Sequence, residues 1–192
     1  MSSHDDLRAI ALSEFARAGY GATSLQRIAE VAGLSKSSVL YHFASKEALL
    51  EAGISPALDR MEVILDSIEG APLNDQTRRA FITDFVDFLL AYRLEVHLFI
   101  NQARSLEDVP VIDRANLIVV RLASYFHSNV DSPVDRLRFG IALGGAAYVL
   151  ATEENFGPET EPLADIRPAL ITVLTELLAP VPVRPAAIQE LI

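Results

Sequence analysis

The chain contains no cysteine, which excludes disulfides and thiolate metal sites and fits the reducing cytoplasm expected for it. Long hydrophobic runs are missing too. The longest uncharged apolar stretch, Phe139 to Thr152, contains the Gly144-Gly145 pair. It falls short of the roughly 17 to 25 residues of a membrane span. The start of the chain, with Asp5 and Asp6, lacks the basic and apolar regions of a secretory signal. No segment alternates apolar and polar residues for long enough to make a strand, and there is no fixed-period repeat or low-complexity tract. Nucleophile elbow, phosphate loop, zinc spacing and a convincing carboxylate pair are all absent, and Glu153-Glu154 reads as solvated charge. His97 and His127 are not spaced as metal ligands on a helix and have no carboxylate-histidine motif around them. These absences point away from an enzyme, a metal site, a cofactor and a membrane protein.

What is present is helical. Apolar residues form 51% of the 192, enough for a sizeable core. Leu7, Ile10, Ala11, Phe15 and Ala18 share one face of a first helix ended by Gly19. Ser24 caps a second, with Leu25, Ile28 and Ala32 inward, and Ser35 caps a third that reaches about His42. Ser45 opens a long fourth that ends near Glu69, before Gly70 and Pro72, and Pro56 within it predicts a kink or break. A fifth starts at Asn74, and a sixth spans about Leu94 to Arg104. A seventh runs from Pro110 to about Asn129 and is apolar on most sides, which predicts burial. Ser132-Pro133 starts an eighth that runs to about Asn155 before Gly157-Pro158, and a ninth covers about Pro162 to Leu178. The Pro180 to Pro185 stretch reads as an extended linker to a last short turn of helix. The fold class is therefore all-α, with nine to ten helices. The best boundary lies near residue 50, inside the fourth helix, between a small unit (1–50) and a larger one (51–192).

Charge is unevenly distributed. The net charge of −10 lies entirely beyond residue 50, since residues 1–50 carry five basic and five acidic side chains. From Leu34 to Lys46 there are two lysines and no acid. On the third helix Val39 and Phe43 point one way, into the small N-terminal core. Ser37 and Tyr41 lie opposite, flanked by Ser38 and Leu40. Small hydroxyls permit close approach to base edges, Tyr bonds phosphate, and an aliphatic side chain packs on a thymine methyl. Lys36 and Lys46 suit phosphates on either side. Thr23 and Ser24 at the start of the second helix are candidates for a backbone phosphate, with Gln26 and Arg27 beyond them. The same pattern suits a three-helix core whose serines are merely solvated, and spacing alone leaves both readings open.

Phe15, Gly19, Thr23, Ile28-Ala29, Ala32-Gly33, Ser35-Lys36, Tyr41-His42-Phe43, Lys46-Glu47 and Leu49 resemble the N-terminal signature of TetR-type transcriptional regulators. The resemblance implies an all-helical fold with an N-terminal helix-turn-helix and a C-terminal ligand-binding and dimerisation domain. It implies a homodimer that represses transcription from a palindromic double-stranded DNA operator until a small-molecule effector binds. Carried over by position, it implies DNA contacts by Lys36, Ser37, Ser38, Leu40, Tyr41 and His42. Lys46 and Thr23 or Ser24 would clamp phosphate. Ser37-Ser38 stands where many members have Gly-Thr, and Leu40 where many have Tyr, so the operator is expected to be individual. Activation instead of repression, or a helical ligand-binding or adaptor protein without DNA affinity, are the alternatives.

In the larger unit Phe85, Phe88, Tyr92, Tyr125 and Tyr148, with the polar His97, Asn101 and Asn116, are candidates to line an effector pocket. Phe81, Phe99, Phe126, Gln102 and His127 extend that set. Aromatic stripes at helical spacing are also what an ordinary core requires. A pocket of this composition suits a hydrophobic or aromatic effector. The small residues Gly140, Gly144 and Ala147, with the Leu170, Leu174 and Leu177 stripe, are candidates for a dimer seam of four helices.

Overall fold

Five polar side chains set helix starts where the sequence places them. Ser24, Ser35 and Ser45 each accept the N–H three residues on at 3.1 Å, and Ser132 accepts that of Asp135 at 3.4 Å. Asn74 and Thr77 form a reciprocal capping box. The computed structural model describes residues 4–102, 106, 109–130, 132–152 and 163–179. Among these residues there are nine helices: α1 His4–Ala18, α2 Leu25–Val31, α3 Lys36–His42, α4 Lys46–Glu69, α5 Asp75–Ala91, α6 Arg93–Asn101, α7 Pro110–Asn129, α8 Pro133–Ala151 and α9 Leu163–Leu177. The expected linker at Pro180 to Pro185, the turn beyond it, Glu153-Glu154 and Gly157-Pro158 lie outside the described residues.

The core is continuous from the N-terminal helices into the larger unit. Leu7, Phe15, Ile28 and Val39 are fully buried between α1, α2 and α3, and Leu49 and Leu50 extend the same core along α4. α4 packs on α1, α5 and α7, α6 lies between α1 and α8, and α9 covers α5 and α8. α4 runs unbroken through Pro56, so of the expected kink or break the break does not occur. Buried Ile54, Ala57 and Leu58 flank the proline, so packing carries the helix across the missing donor.

α4 and α7 are also joined by two ion-pair clusters seven residues apart. Arg114 bonds Asp59 and Glu62 at 2.6 Å, and Arg121 bonds Asp66 and Glu69 at 2.8 and 2.7 Å. The constant sequence offset means that the helices run parallel, with a heptad-like register. The pairing holds the Glu62 carboxyl below its ordinary range, mainly through the Arg114 hydrogen bond. α7 is not buried on all sides as its composition predicts. Leu117, Val119 and Val120 are exposed, because α4 and α8 leave part of the helix uncovered.

Candidate nucleic-acid interface and adjoining cavity

The turn from α2 to α3 is built from backbone. The Leu34 N–H donates to the Ala29 carbonyl at 2.8 Å and the Gly33 N–H to Glu30 at 3.1 Å. With Gly33 at φ 67°, this is a Schellman ending, which satisfies the last α2 carbonyls and turns the chain at once into the Ser35 cap. α3 then puts Val39 into the core and leaves Lys36, Ser37, Leu40, Tyr41 and His42 exposed, with Ser38 half-buried. Tyr41 is 87% exposed, the most open of the large apolar side chains among the described residues. Ser35 Oγ lies 2.9 Å from Ser37 Oγ and 2.8 Å from Ser38 Oγ, so the three hydroxyls form one local network.

The platform behind α3 is fixed by ionic contacts. Glu14, buried on α1, accepts from Arg17 and from Arg27 at 2.9 Å, tying α1 to α2. These two arginines hold its carboxyl below the ordinary range, Arg17 first. Arg27 is therefore engaged internally, and Gln26 bonds Glu30.

Two expected phosphate ligands are placed differently. Thr23 is 3% exposed, and its hydroxyl donates to the Gly19 and Glu14 carbonyls at 2.8 and 3.2 Å. Ser24 is thus the helix-two hydroxyl at the surface, although it also accepts the Arg27 N–H. Lys46 Nζ donates to the Tyr20 and Thr23 carbonyls at 2.9 and 3.2 Å and sits 4.1 Å from the centre of the Tyr20 ring. It closes the loop before α2, with one ammonium proton left over. Tyr20, which the sequence reading did not single out, completes this corner by donating to Glu47 at 3.2 Å. Burial, with the Glu47 charge second, pushes its phenol up to about 12.

Beyond this unit a cavity of about 600 Å³ lies between α4, α5, α6, α7 and α8. Of the expected lining residues, Phe85, Phe88 and Tyr148 face it, joined by Phe99, Phe126 and His127. Tyr92, His97, Asn101, Asn116 and Tyr125 do not. His97 Nδ1 and the Asn101 amide are bound to the Ala151 carbonyl, Asn116 is exposed on α7, and Tyr125 is buried against Phe126. Glu95 and Arg136 line the cavity without having been expected. Glu95 had one signal, as the only acid in the α6 sequence. Of the expected seam, Gly140, Gly144 and Ala147 stand on the cavity wall. Leu174 is 1% exposed and packs in the core of the chain itself, whereas Leu177 is exposed. Among the described residues no three His, Cys, Asp or Glu side chains gather as a metal site, and no helix is long and apolar enough to cross a membrane.

Residues 7–52 match the family model described as bacterial regulatory proteins, tetR family. A stretch of 78 residues (38% of this chain) is 36% identical to the uncharacterized regulator YerO of Bacillus subtilis, covering 27% of that protein. A stretch of 126 residues (63% of this chain) is 34% identical to the regulator RutR of Escherichia coli O157:H7, covering 53% of it. The chain thus spans about half or less of the length of these relatives. The fold superposes on the ketosteroid transcriptional regulator KstR2 of Mycobacterium tuberculosis with a TM-score of 0.65 at 21% identity, over 93% of this chain and 94% of that one. The signature on α1 to α4, the α2–α3 turn and the all-helical architecture agree with that family model, and residues 7–52 are an N-terminal helix-turn-helix of the bacterial tetR regulatory family type.

Proposed function

We propose that this TetR-family regulator acts as a homodimeric repressor, which binds a palindromic DNA operator and is released by a small hydrophobic or aromatic effector. The observation that carries the DNA reading is the outer face of α3. Lys36, Ser37 and Tyr41 are exposed there, while Val39 and Phe43 anchor the helix from behind. This face lies in the one stretch with two lysines and no acid, so a chain of net charge −10 presents a local positive surface to phosphate.

Dimerisation is supported by an exposed apolar stripe. Val134, Leu137, Ile141 and Tyr148 are exposed on α8, Ile141 at 71%, with Val173 and Leu177 on α9. Their three- and four-residue spacing suits helix-to-helix packing, and a Cβ at Gly144 or Gly145 would meet nothing within 4 Å. A second copy seated there gives two α3 helices related by a two-fold axis, which suits a palindrome.

The effector reading rests on the apolar cavity and on α4. This helix starts at Lys46 in the DNA-binding unit (1–50) and brings Ile54, Leu58 and Met61 to the cavity wall in the ligand and dimer unit (51–192). A ligand that prefers one packing of α4 biases the α3 separation by its differential affinity for the two states. That KstR2 is a ketosteroid regulator agrees with an apolar effector class. The test is a gel shift with DNA flanking the chain's own gene. Expected is a discrete complex that weakens as salt rises. No complex, or one insensitive to salt, would sink the reading.

A further inference from the structure

The cavity wall is apolar almost throughout, and Glu95 is its one acidic side chain among the described residues. Glu95 shares the cavity face of α6 with Val96, Phe99 and Ile100. Phe99 is four residues on, so its ring lies one turn from the carboxylate. Among the described residues that carboxylate has no side-chain hydrogen bond, its partner being its own backbone amide. Burial pushes the carboxyl above its ordinary range, against a smaller opposing pull from the Arg8 guanidinium of α1.

The polar groups of the wall are also sorted by position. His97, two residues from Glu95, bonds the Ala151 carbonyl, which places this part of α6 at the C-terminal end of α8. Arg136 stands in the first turn of α8, about 18 Å along the helix from Tyr148. It donates to the Val130 carbonyl at 2.7 Å. The acidic and basic ends of the cavity are therefore separated, with aromatic and aliphatic side chains between them.

We propose that the cavity takes a mostly apolar ligand with one basic nitrogen, held as an ammonium against the Glu95 carboxylate with the Phe99 ring beside it. A half-buried carboxylate held only by its own backbone amide and the pull of Arg8 is incompletely compensated, and a cation in an apolar cavity adds to that compensation while gaining the attraction of the ring face. A neutral ligand adds no counter-charge to Glu95, and an anionic head is repelled at this end. The same ammonium competes with Arg8 for the Glu95 charge, so binding bears directly on α1 of the DNA-binding unit. The inference rests on the cavity being the effector site.

Three probes with one tail isolate the head group: dodecylammonium, dodecanol and dodecanoate, titrated below their micellar concentrations into the full chain by calorimetry. Expected is ammonium binding at least about ten-fold tighter than the alcohol. Glu95→Gln should bring the ammonium down to the alcohol's level and leave the alcohol unchanged. Phe99→Leu should weaken the ammonium alone by a few-fold, and this gives a second arm should Glu95→Gln fold poorly. Alcohol or carboxylate binding as tight as the ammonium, an ammonium preference that survives both substitutions, or no saturable binding of any probe overturns the proposal. A gel shift without probes runs in parallel. Ammonium selectivity in a chain that binds no DNA supports the Glu95 assignment and overturns the repressor reading. DNA binding without ammonium selectivity does the reverse.

Discussion

Gln102, which follows the last residue of α6, donates from Nε2 to the Phe15 carbonyl on α1 at 2.8 Å. Its Oε1 accepts the Tyr20 N–H at 2.7 Å. One side chain thus ties the end of a cavity-lining helix to both sides of the turn that leaves α1. Tyr20 in turn lies under Lys46, the first residue of α4. A shift of α6 reaches the base of the helix-turn-helix through this tie as well as through α4.

Replacing Gln102 by Leu removes both bonds while keeping bulk. Expected is a loss of about 1 to 3 kcal/mol, the cost of leaving the Tyr20 N–H unpaired, while the Phe15 carbonyl keeps the Gly19 N–H at 3.0 Å. In a chain of this size each kcal/mol lowers Tm by about 2 to 4 °C. Thermal unfolding followed by circular dichroism measures it, and an unchanged Tm would show that the tie carries no stability.

Gly33 and Gly53 separate two reasons for glycine. At Gly33 a Cβ would meet nothing within 4 Å, but φ is 67°, so Gly33→Ala should cost about 1 kcal/mol from backbone strain alone. At Gly53 the backbone is helical and the Cβ would lie 3.0 Å from Leu12 Cγ and Cδ2, which forces α1 away from α4. Gly53→Ala should cost about 1 to 3 kcal/mol, and Leu12→Ala in the same chain should relieve the clash. Urea unfolding of the singles and the double checks this. A Gly53→Ala loss that persists with Leu12→Ala would contradict it.

Local signals were legible in the sequence. Ser24, Ser35, Ser45, Asn74 and Ser132 are caps whose geometry spans a few residues, and Pro110 marks the start of α7. The inward Val39 and outward Tyr41 follow from helical period alone. What depended on tertiary placement was not legible. Thr23 and Ser24 are adjacent hydroxyls, and only the path of the loop from Gly19 decides which turns inward. Lys46 is long enough to reach either phosphate or the Tyr20 and Thr23 carbonyls. Tyr92, Tyr125 and Phe88 read alike as aromatics at helical spacing, and the crossing of five helices decides which face the cavity. The ring of Leu117, Val119 and Val120 on α7 looked buried because its composition does not say how many helices cover it.

The Glu14 pair sets an acid limit. Its carboxyl is held below the ordinary 4.5 by Arg17 and then Arg27. A depressed carboxylate contributes stability that is present above its unfolded value and lost as pH falls through the folded one. Tm should therefore decline as pH drops below about 4.5. Glu14→Gln should lower Tm at neutral pH and flatten that decline. Melting curves from pH 7 to 3 test this. Parallel curves for the two chains would remove Glu14 from the acid response, leaving Glu47, Glu62 and Asp87, which are depressed as well.

Tyr41 and Lys36 should fail in different ways, because one offers DNA a neutral phenol and the other a cation, and only the cation displaces counterions. Tyr41 is 87% exposed, so Tyr41→Ala should change stability by no more than about 0.5 kcal/mol and leave the dimer intact. Its operator affinity should drop roughly ten-fold at every salt concentration, the scale of one lost hydrogen bond. Lys36→Ala removes a cation with no structural partner among the described residues. It should weaken operator and unrelated DNA alike, and the slope of log affinity against log salt should become shallower by about one. Anisotropy titrations on both DNAs at several salt concentrations distinguish the two effects. If Tyr41→Ala left operator affinity unchanged, Tyr41 would lie off the DNA surface, and contact would rest on Lys36, Ser37 and Leu40.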